Sequence, residues 1–258
     1  MEYETIRFKV KNDVAVLTLN RPDAKNALNT QMRAEILHAA KAAEQTARAL
    51  VITGRGAVFC AGQDLGDQAQ IANIDLERTL REEYDPLFQA IFNCRIPTVS
   101  AVNGAAAGVG ASLALATDVV IASETAVFVQ AFSKIGLMPD GGSTWWLPRQ
   151  VGSARAMGMA LFAESVTAQQ AADWGMIWEA VPDAVFPDHW LNRAEQLASG
   201  PTKSFRQIKK AIRGSWENTL EGQLDIEAKL QGRCGQTRDF KEGVVSFLEN
   251  RKAEFEGR

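Results

Sequence analysis

An uncharged stretch at residues 96–117 constrains the fold more than any other feature of the chain. A membrane-spanning helix needs about 20 predominantly apolar residues, but this stretch is interrupted by Pro97, Asn103, Gly104, Gly108 and Gly110. Such interruptions favour a buried strand, a glycine-rich turn and a buried helix at 111–116 over a membrane span. We therefore expect this stretch to lie inside a layered core of sheet and helices.

Strand and helix patterns alternate on either side of this stretch. Residues 3–10 alternate in polarity and residues 14–19 are apolar, which together predict an opening hairpin. Further patterns predict helices at 28–50 and 75–92 and strands at 51–54, 97–102 and 119–122. From Arg149 onward the patterns are almost all helical, at 154–163, 168–174, 188–198, 202–213, 220–230 and 238–250. One α/β core with a helical C-terminal region follows from this order.

Composition excludes several classes of protein. With 28 Lys and Arg against 31 Asp and Glu, the net charge of -3 lacks the basic surplus of a nucleic-acid binder. Three cysteines without paired spacing indicate a reducing compartment, and the charged N-terminus lacks a signal core, so a cytoplasmic location is expected. With only His38 and His189, a Ser/His/Asp triad or a histidine-rich metal site is disfavoured.

Two glycine-containing turns follow buried strands, at 59–64 and at 103–110. If both turns lie at the same end of a sheet, their backbone N–H groups can converge and hold an enolate-like oxygen. The alternative is that the glycines only allow a helix to pack closely on a strand. Spacing alone favours neither interpretation.

Asp140 lies in a tight turn of Pro, Asp and Gly with large apolar neighbours. As the N-cap of a helix that begins near Ser143, it would have a purely structural role. Alternatively, burial beside Met138, Trp145 and Trp146 would raise its pKa and suit it to move protons near neutral pH. The sequence leaves both interpretations open.

Motifs spread over nearly the whole chain resemble the crotonase superfamily of acyl-CoA hydratases and isomerases. The matching segments are 19–28, 59–65, 101–104 with 108–110, and 242–248. The resemblance is closest to the ring-1,2-epoxyphenylacetyl-CoA isomerases of phenylacetate catabolism, through segments 131–140, 146–149, 155–158 and 174–178.

The resemblance implies a spiral of ββα units at 1–195 and a helical C-terminal region at 196–258 that builds homotrimers or hexamers. It further implies that the backbone N–H groups of Ala61 and Val109 form an oxyanion hole for the thioester carbonyl, with Asp140 as the acid/base. The expected substrate contacts are Lys25, Gly62, Gln63, Asp64, Gly108, Phe132 and Trp145, with Asp64 tying down the oxyanion loop. No metal or redox cofactor is implied, because coenzyme A enters as part of the substrate.

Hydratases of this superfamily are expected to use two glutamates, and this chain has Ser112 and Phe132 at those positions. The resemblance therefore favours an isomerase that moves a double bond in an acyl-CoA of aromatic-catabolism origin, or opens a ring epoxide to an oxepin. The alternatives are an aliphatic 3-enoyl-CoA isomerase and a non-catalytic acyl-CoA-binding trimer. A dehalogenase that uses Asp140 as nucleophile is disfavoured, because no histidine lies near the motifs. Neither nucleic acid nor membrane is an expected partner.

Overall fold

The N-terminal hairpin begins a six-stranded sheet in the computed structural model, which describes residues 2–66 and 75–258. Strands β1 (Ile6–Lys11) and β2 (Val14–Leu19) pair antiparallel, as the sequence predicts. The other strands of this sheet are β3 (Ala49–Gly54), β5 (Thr98–Val102), β7 (Val119–Ser123) and β10 (Glu179–Val181). They add to β2 in parallel, in the order β1-β2-β3-β5-β7-β10.

Both faces of this sheet are buried, so its central strands are apolar almost throughout. Strand β3 shows how the alternation of side chains divides the core between the two faces. Leu50 and Ile52 belong to the larger apolar cluster, whereas Val51 belongs to a smaller cluster on the other face. Two apolar layers therefore enclose the sheet.

A second sheet of short strands lies on the larger cluster and was not predicted from the sequence. It contains β4 (Val58–Cys60), β6 (Ala105–Ala107), β8 (Val127–Val129) and β9 (Ser165–Thr167), in that order. Strands β4, β6 and β8 are parallel, and β9 is antiparallel to β8. Because parallel neighbours end at one edge, the segments that follow β4, β6 and β8 leave the sheet side by side.

Helices pack on both sheets. Helix α1 (Thr30–Thr46) is capped by the Asn29 side chain and ends four residues before the predicted position 50. Helix α2 runs through Leu76–Thr79, a π-helical turn at Leu80–Tyr84 and Asp85–Phe92. Helix α3 (Val109–Leu115) follows β6 directly. Helix α4 (Ser143–Phe162) is kinked at Gly152.

The remaining helices are α5 (Ala168–Asp173), α6 (Phe186–Ala198), α7 (Thr202–Gly214), α8 (Leu220–Gly235) and α9 (Arg238–Leu248). Helix α6 buries Ala194 and Ala198 in the smaller apolar cluster, so it belongs to the core. The predicted boundary between residues 195 and 196 falls inside this helix.

Among the described residues, we find no helix with the length and apolar character that crossing a membrane requires. The uncharged stretch at 96–117 is divided among β5, β6 and α3, as its glycines indicate. This arrangement is the α/β fold with a helical C-terminal region that the sequence predicts.

Candidate active site

The two glycine-containing turns meet at one edge of the second sheet, because they follow the neighbouring strands β4 and β6. A Cβ atom added to Gly62 would lie 2.8 Å from the carbonyl oxygen of Ala107 and 3.6 Å from the amide nitrogen of Val109. Gly62 also has a φ of 100°, a conformation that side chains other than glycine rarely adopt. The close approach of the two turns therefore depends on Gly62.

Packing explains another glycine of the same motif. A Cβ atom on Gly110 would lie 2.4 Å from the carbonyl oxygen of Cys60, so this glycine lets α3 press against β4. Gly110 thus fits the packing interpretation, whereas Gly62 lets the two turns approach each other.

The amide of Ala61 is already engaged, which corrects its predicted role as an oxyanion-hole donor. It donates a 3.0 Å hydrogen bond to the backbone carbonyl of Lys25. The amides of Gln63 and Val109 donate to no other described residue. Gln63 lies in a parallel bridge in which Leu28 donates to Gly62 and accepts from Asp64, so the N–H of Gln63 points away from Leu28. Gln63 therefore replaces Ala61 as the candidate donor on this loop.

Val109 occupies the first position of α3, where backbone N–H groups have no partner within the helix. Gly108, at the N-cap, has a φ of 52° and turns the chain from β6 into α3. The valine side chain is buried and does not block the helical conformation. Valine at position 109 therefore leaves this amide available as a donor.

Asp64 and Lys25 stabilise the loop that follows β4 and carries Gln63, which is called the oxyanion loop below. The Asp64 carboxylate accepts hydrogen bonds from Arg21 at 2.7 Å and from the amide of Gly66 at 3.1 Å. Partial burial opposes its ionisation, but these bonds outweigh that effect and lower the pKa of Asp64. The Lys25 carbonyl accepts the hydrogen bond from the Ala61 amide, and the residue is exposed.

Asp140 does not cap helix α4. The N-cap is Gly142, and no side chain in the described part of the chain caps this helix. The Oδ1 atom of Asp140 is buried without a hydrogen-bond partner among the described residues. Burial raises the pKa of Asp140 from 3.8 to about 6. A partly buried carboxyl group with such a pKa can accept and return a proton near neutral pH.

Ser112 positions the backbone of Asp140. Its hydroxyl donates to the Asp140 carbonyl at 2.9 Å and shares a 2.7 Å hydrogen bond with the Ser143 hydroxyl. Because Ser112 lies in α3, one turn after Val109, the helix that carries a candidate oxyanion-hole amide also holds the candidate acid/base. The structure thus brings Asp140 and Val109 to the same end of α3.

Aromatic side chains surround this end of α3. The buried Phe132 ring would lie 3.9 Å from a Cβ atom on Gly108, and the buried Phe88 ring would lie 2.7 Å from a Cβ atom on Gly141. Tyr84 stacks on Phe88 with ring centroids 6.1 Å apart. Burial raises the pKa of the Tyr84 hydroxyl, and the nearby Asp140 charge adds to this effect.

Trp145 has a different environment from the one predicted. Its ring packs edge-on against Phe92 at 5.5 Å, and the guanidinium of Arg149 lies 4.2 Å above it. This cluster continues to Arg213, over the Phe92 ring at 3.9 Å, and therefore connects α4 to α7. Trp145 packs within that cluster, and its contact with substrate stays a prediction.

Sequence reasoning missed Tyr84, Phe88 and the side-chain contacts of Gln63. The apolar positions of α2 predict a buried face but do not show which loop that face meets. The sequence does place Tyr84 on the apolar face of α2, and a tyrosine in such a face needs a partner for its hydroxyl.

Comparison with known proteins places the chain in a family. Residues 9–258 match the family described as Enoyl-CoA hydratase/isomerase. A relative from Rhodobacter capsulatus named "Probable enoyl-CoA hydratase" is 57% identical over 100% of both chains. The 1,2-epoxyphenylacetyl-CoA isomerase of Escherichia coli is 44% identical over 99% of both chains.

Solved structures agree with these relatives. An enoyl-CoA hydratase from Polaromonas sp. JS666 superposes with a TM-score of 0.90 at 33% identity, covering 97% of this chain and 99% of the other. Sequence and fold are therefore similar to the same group of proteins along the full length. The chain belongs to the enoyl-CoA hydratase/isomerase family of the crotonase superfamily.

Proposed function

We propose that the protein is an acyl-CoA isomerase that moves a double bond by proton transfer through Asp140. The observation that carries this proposal is the buried Oδ1 atom of Asp140, which has no partner among the described residues, together with its raised pKa. A carboxylate that only stabilised the fold would be hydrogen-bonded, as Asp64 is.

In the proposed reaction, the thioester carbonyl lies between the N–H groups of Gln63 and Val109. Asp140 removes a proton from the acyl chain, the electron pair moves onto the carbonyl oxygen, and the two amides stabilise the resulting enolate. Asp140 then returns the proton to another carbon, which completes the shift of the double bond. One oxyanion-hole donor contributes about 2.7–4 kcal/mol to lowering such a barrier.

The aromatic side chains support an acyl group of aromatic origin as substrate. Phe88, Phe132 and Tyr84 are buried around the Asp140 loop and provide flat apolar surface. Such a surface would also limit the access of water to the enolate. In a ring epoxide, the same polarisation of the thioester would assist ring expansion to an oxepin. The Escherichia coli relative, a 1,2-epoxyphenylacetyl-CoA isomerase by name, agrees with this substrate class.

Hydration is the second candidate function, because the 57% identical relative is named a hydratase. The residues around Asp140 argue against it. The Ser112 hydroxyl donates a hydrogen bond to the Asp140 carbonyl, and Phe132 is buried and has no ionisable group. Asp140 would therefore be a single carboxylate acting on water, without the second one that the superfamily's hydratases are expected to use.

The experiment is to incubate the protein with aromatic and straight-chain 3-enoyl-CoA thioesters in deuterated water. We expect double-bond migration with deuterium in the acyl chain, and a loss of about 10²–10⁴-fold in Asp140→Asn. Asp173→Asn, at an exposed position of α5, is the matched control. Equal rates in Asp140→Asn and the parent protein would refute the assignment. Addition of water to 2-enoyl-CoA at a comparable rate would favour the hydratase, and binding without exchange would favour a non-catalytic protein.

The proposed assembly is a trimer, or a hexamer formed by two trimers, built through the C-terminal helices. Phe240, Phe247 and Leu248 of α9 and Leu220 and Leu224 of α8 are exposed apolar side chains in the isolated chain. Contiguous exposed apolar residues favour a protein interface. Light scattering of the purified protein would measure the mass directly.

A further inference from the structure

The side chain of Gln63 is held by two residues outside its own loop. Its Oε1 atom accepts hydrogen bonds from the hydroxyl of Tyr84 and from Nη1 of Arg33, the latter at 3.2 Å. Tyr84 and Arg33 are each 3% exposed, so both donors are buried, while Gln63 is half-buried. A hydrogen bond in such surroundings is electrostatically stronger than one in water.

Each nitrogen of the Arg33 guanidinium donates a hydrogen bond to a neighbouring residue. Nη1 also donates to the Leu28 carbonyl at 2.7 Å, Nη2 donates to Thr30 at 3.0 Å, and Nε donates to Glu83 at 3.0 Å. Its guanidinium carbon lies 4.8 Å from the centroid of the Tyr84 ring. Arg33 therefore provides Gln63 with a fixed donor.

The backbone of Gln63 is fixed by the same neighbourhood. Leu28 bonds to the residues on both sides of Gln63, with N···O distances of 2.8 Å to Gly62 and 3.2 Å to Asp64. The Leu28 carbonyl is also an acceptor for Arg33. Side chain and backbone contacts thus hold the peptide N–H of Gln63 in one orientation.

Tyr84 connects this contact to the loop of Asp140. It ends the π-helical turn of α2, and π-helical turns frequently occur at functional sites. Its ring stacks on Phe88, which packs against Gly141, the residue after Asp140. One segment of α2 therefore contacts both the oxyanion loop and the segment that carries the acid/base.

We propose that Tyr84 and Arg33 are positioning residues that hold Gln63 so that its backbone N–H is aimed at the thioester oxygen. This inference rests on the proposed function, since it concerns how one donor of the proposed oxyanion hole is positioned. Misplacement of one donor weakens stabilisation of the enolate without removing the substrate pocket. The effect is therefore expected in kcat and not in KM.

The test compares Tyr84→Phe, Gln63→Met and the double variant. Tyr84→Phe removes the hydroxyl and keeps the ring that stacks on Phe88, and Gln63→Met removes the acceptor at similar size. We expect each single variant to lower kcat for double-bond migration by about tenfold with KM within about twofold. The double variant should lose no more than the more damaging single variant, because Gln63→Met already breaks the contact that Tyr84→Phe removes.

Tyr3→Phe is the matched control. The Tyr3 hydroxyl makes a 2.8 Å hydrogen bond to Nδ1 of His38 on the exposed side of α1, so its removal measures the cost of losing a tyrosine hydrogen bond elsewhere. We expect unchanged kcat in this variant. Thermal unfolding of all variants shows whether a loss of activity follows from a loss of structure.

A second measurement does not depend on turnover. The carbonyl stretch of bound phenylacetyl-CoA, labelled with ¹³C at the thioester carbon, should shift to lower wavenumber in the parent protein because the two amides polarise the bond. We expect a smaller shift in Tyr84→Phe and Gln63→Met at saturating ligand, and the parent shift in Tyr3→Phe. Unchanged shifts and unchanged kcat in the two site variants would overturn the positioning role while leaving the proposed function intact. A parent protein that shows the shift but no isomerisation would overturn the proposed function alone, and a parent without a shift would overturn both.

Discussion

The side-chain hydroxyl of Ser112 donates a 2.9 Å hydrogen bond to the backbone carbonyl of Asp140 and shares another with Ser143. Ser112 and Ser143 are fully buried, so water does not compete for these bonds. The serine therefore has a structural role at a position where a catalytic carboxylate is expected in related hydratases.

Ser112→Ala tests this role. Loss of the hydroxyl leaves the Asp140 carbonyl and the Ser143 hydroxyl each short of a partner, so we expect the free energy of unfolding to fall by about 1–3 kcal/mol. Turnover should fall as well, because the Asp140 segment is less firmly held. Urea titration measures the first effect. Ser199→Ala is the control, since the hydroxyl of the exposed Ser199 donates to the Gln196 carbonyl, and a similar loss there would contradict the interpretation.

The pH dependence of turnover should report Asp140. A general base acts in its ionised form, and burial raises the pKa of Asp140 to about 6. We therefore expect kcat/KM to rise with pH through about 6 and to level off above it. A midpoint near 4 would mean that the carboxyl group is solvated in the free protein. Residual activity of Asp140→Asn should lack this transition.

Asp140→Asn should also alter stability in a pH-dependent way. The pKa of Asp140 is higher in the folded protein, about 6, than its ordinary value of 3.8, so the ionised form is disfavoured by folding. The parent protein thus loses stability as pH rises from about 4 to about 6, and asparagine avoids that loss. We expect the variant to be more stable by about 1–3 kcal/mol at pH 7–8, and no more stable than the parent below pH 4. Thermal unfolding at both pH values measures the difference.

Asp118→Ala should weaken the attachment of α7 to the core. The carboxylate accepts hydrogen bonds from Lys209 and Arg213 of α7, each at 2.7 Å, and from the amide of Thr98 in β5. Removal leaves two largely buried cations without their counter-ion, so we expect a loss of about 3–5 kcal/mol. Chemical denaturation provides the measurement.

The control for Asp118 is another acidic residue paired with lysine. Asp225 forms an exposed pair with Lys229 within α8. Exposed pairs contribute about 0–1 kcal/mol, so Asp225→Ala should be nearly neutral. Equal losses in the two variants would contradict the importance of burial.

The longer elements were predictable from the sequence, whereas the second sheet was not. The hairpin and α2 have clear periodic patterns over enough residues to be recognised. Strands β4, β6, β8 and β9 each have three residues, too few to show a period. The predicted helix at 28–50 was too long, because alanines continue the helical pattern through Ala47 although Ala49 already pairs with Val14 in the sheet.

The candidate site was predicted in part. The motifs identified the two turns and Asp140, and the structure brings these together. The choice between Ala61 and Gln63 could not be made, because every residue has the same backbone N–H and only the fold shows which amides are engaged. Tyr84 and Phe88 were missed because a side chain that lines a pocket and one that fills a core follow the same helical period.

Because β4, β6 and β8 are parallel neighbours, the functional groups of the proposed site lie on three separate connecting segments. The connections after β4 and β6 carry the proposed main-chain donors, whereas the connection after β8 carries Phe132 and Asp140. Exchange of residues in the third connection can change where protons are taken and returned without disturbing how the activated oxygen is held. Divergence of reaction type within one ancestral scaffold would then require few substitutions, concentrated in a single stretch of chain.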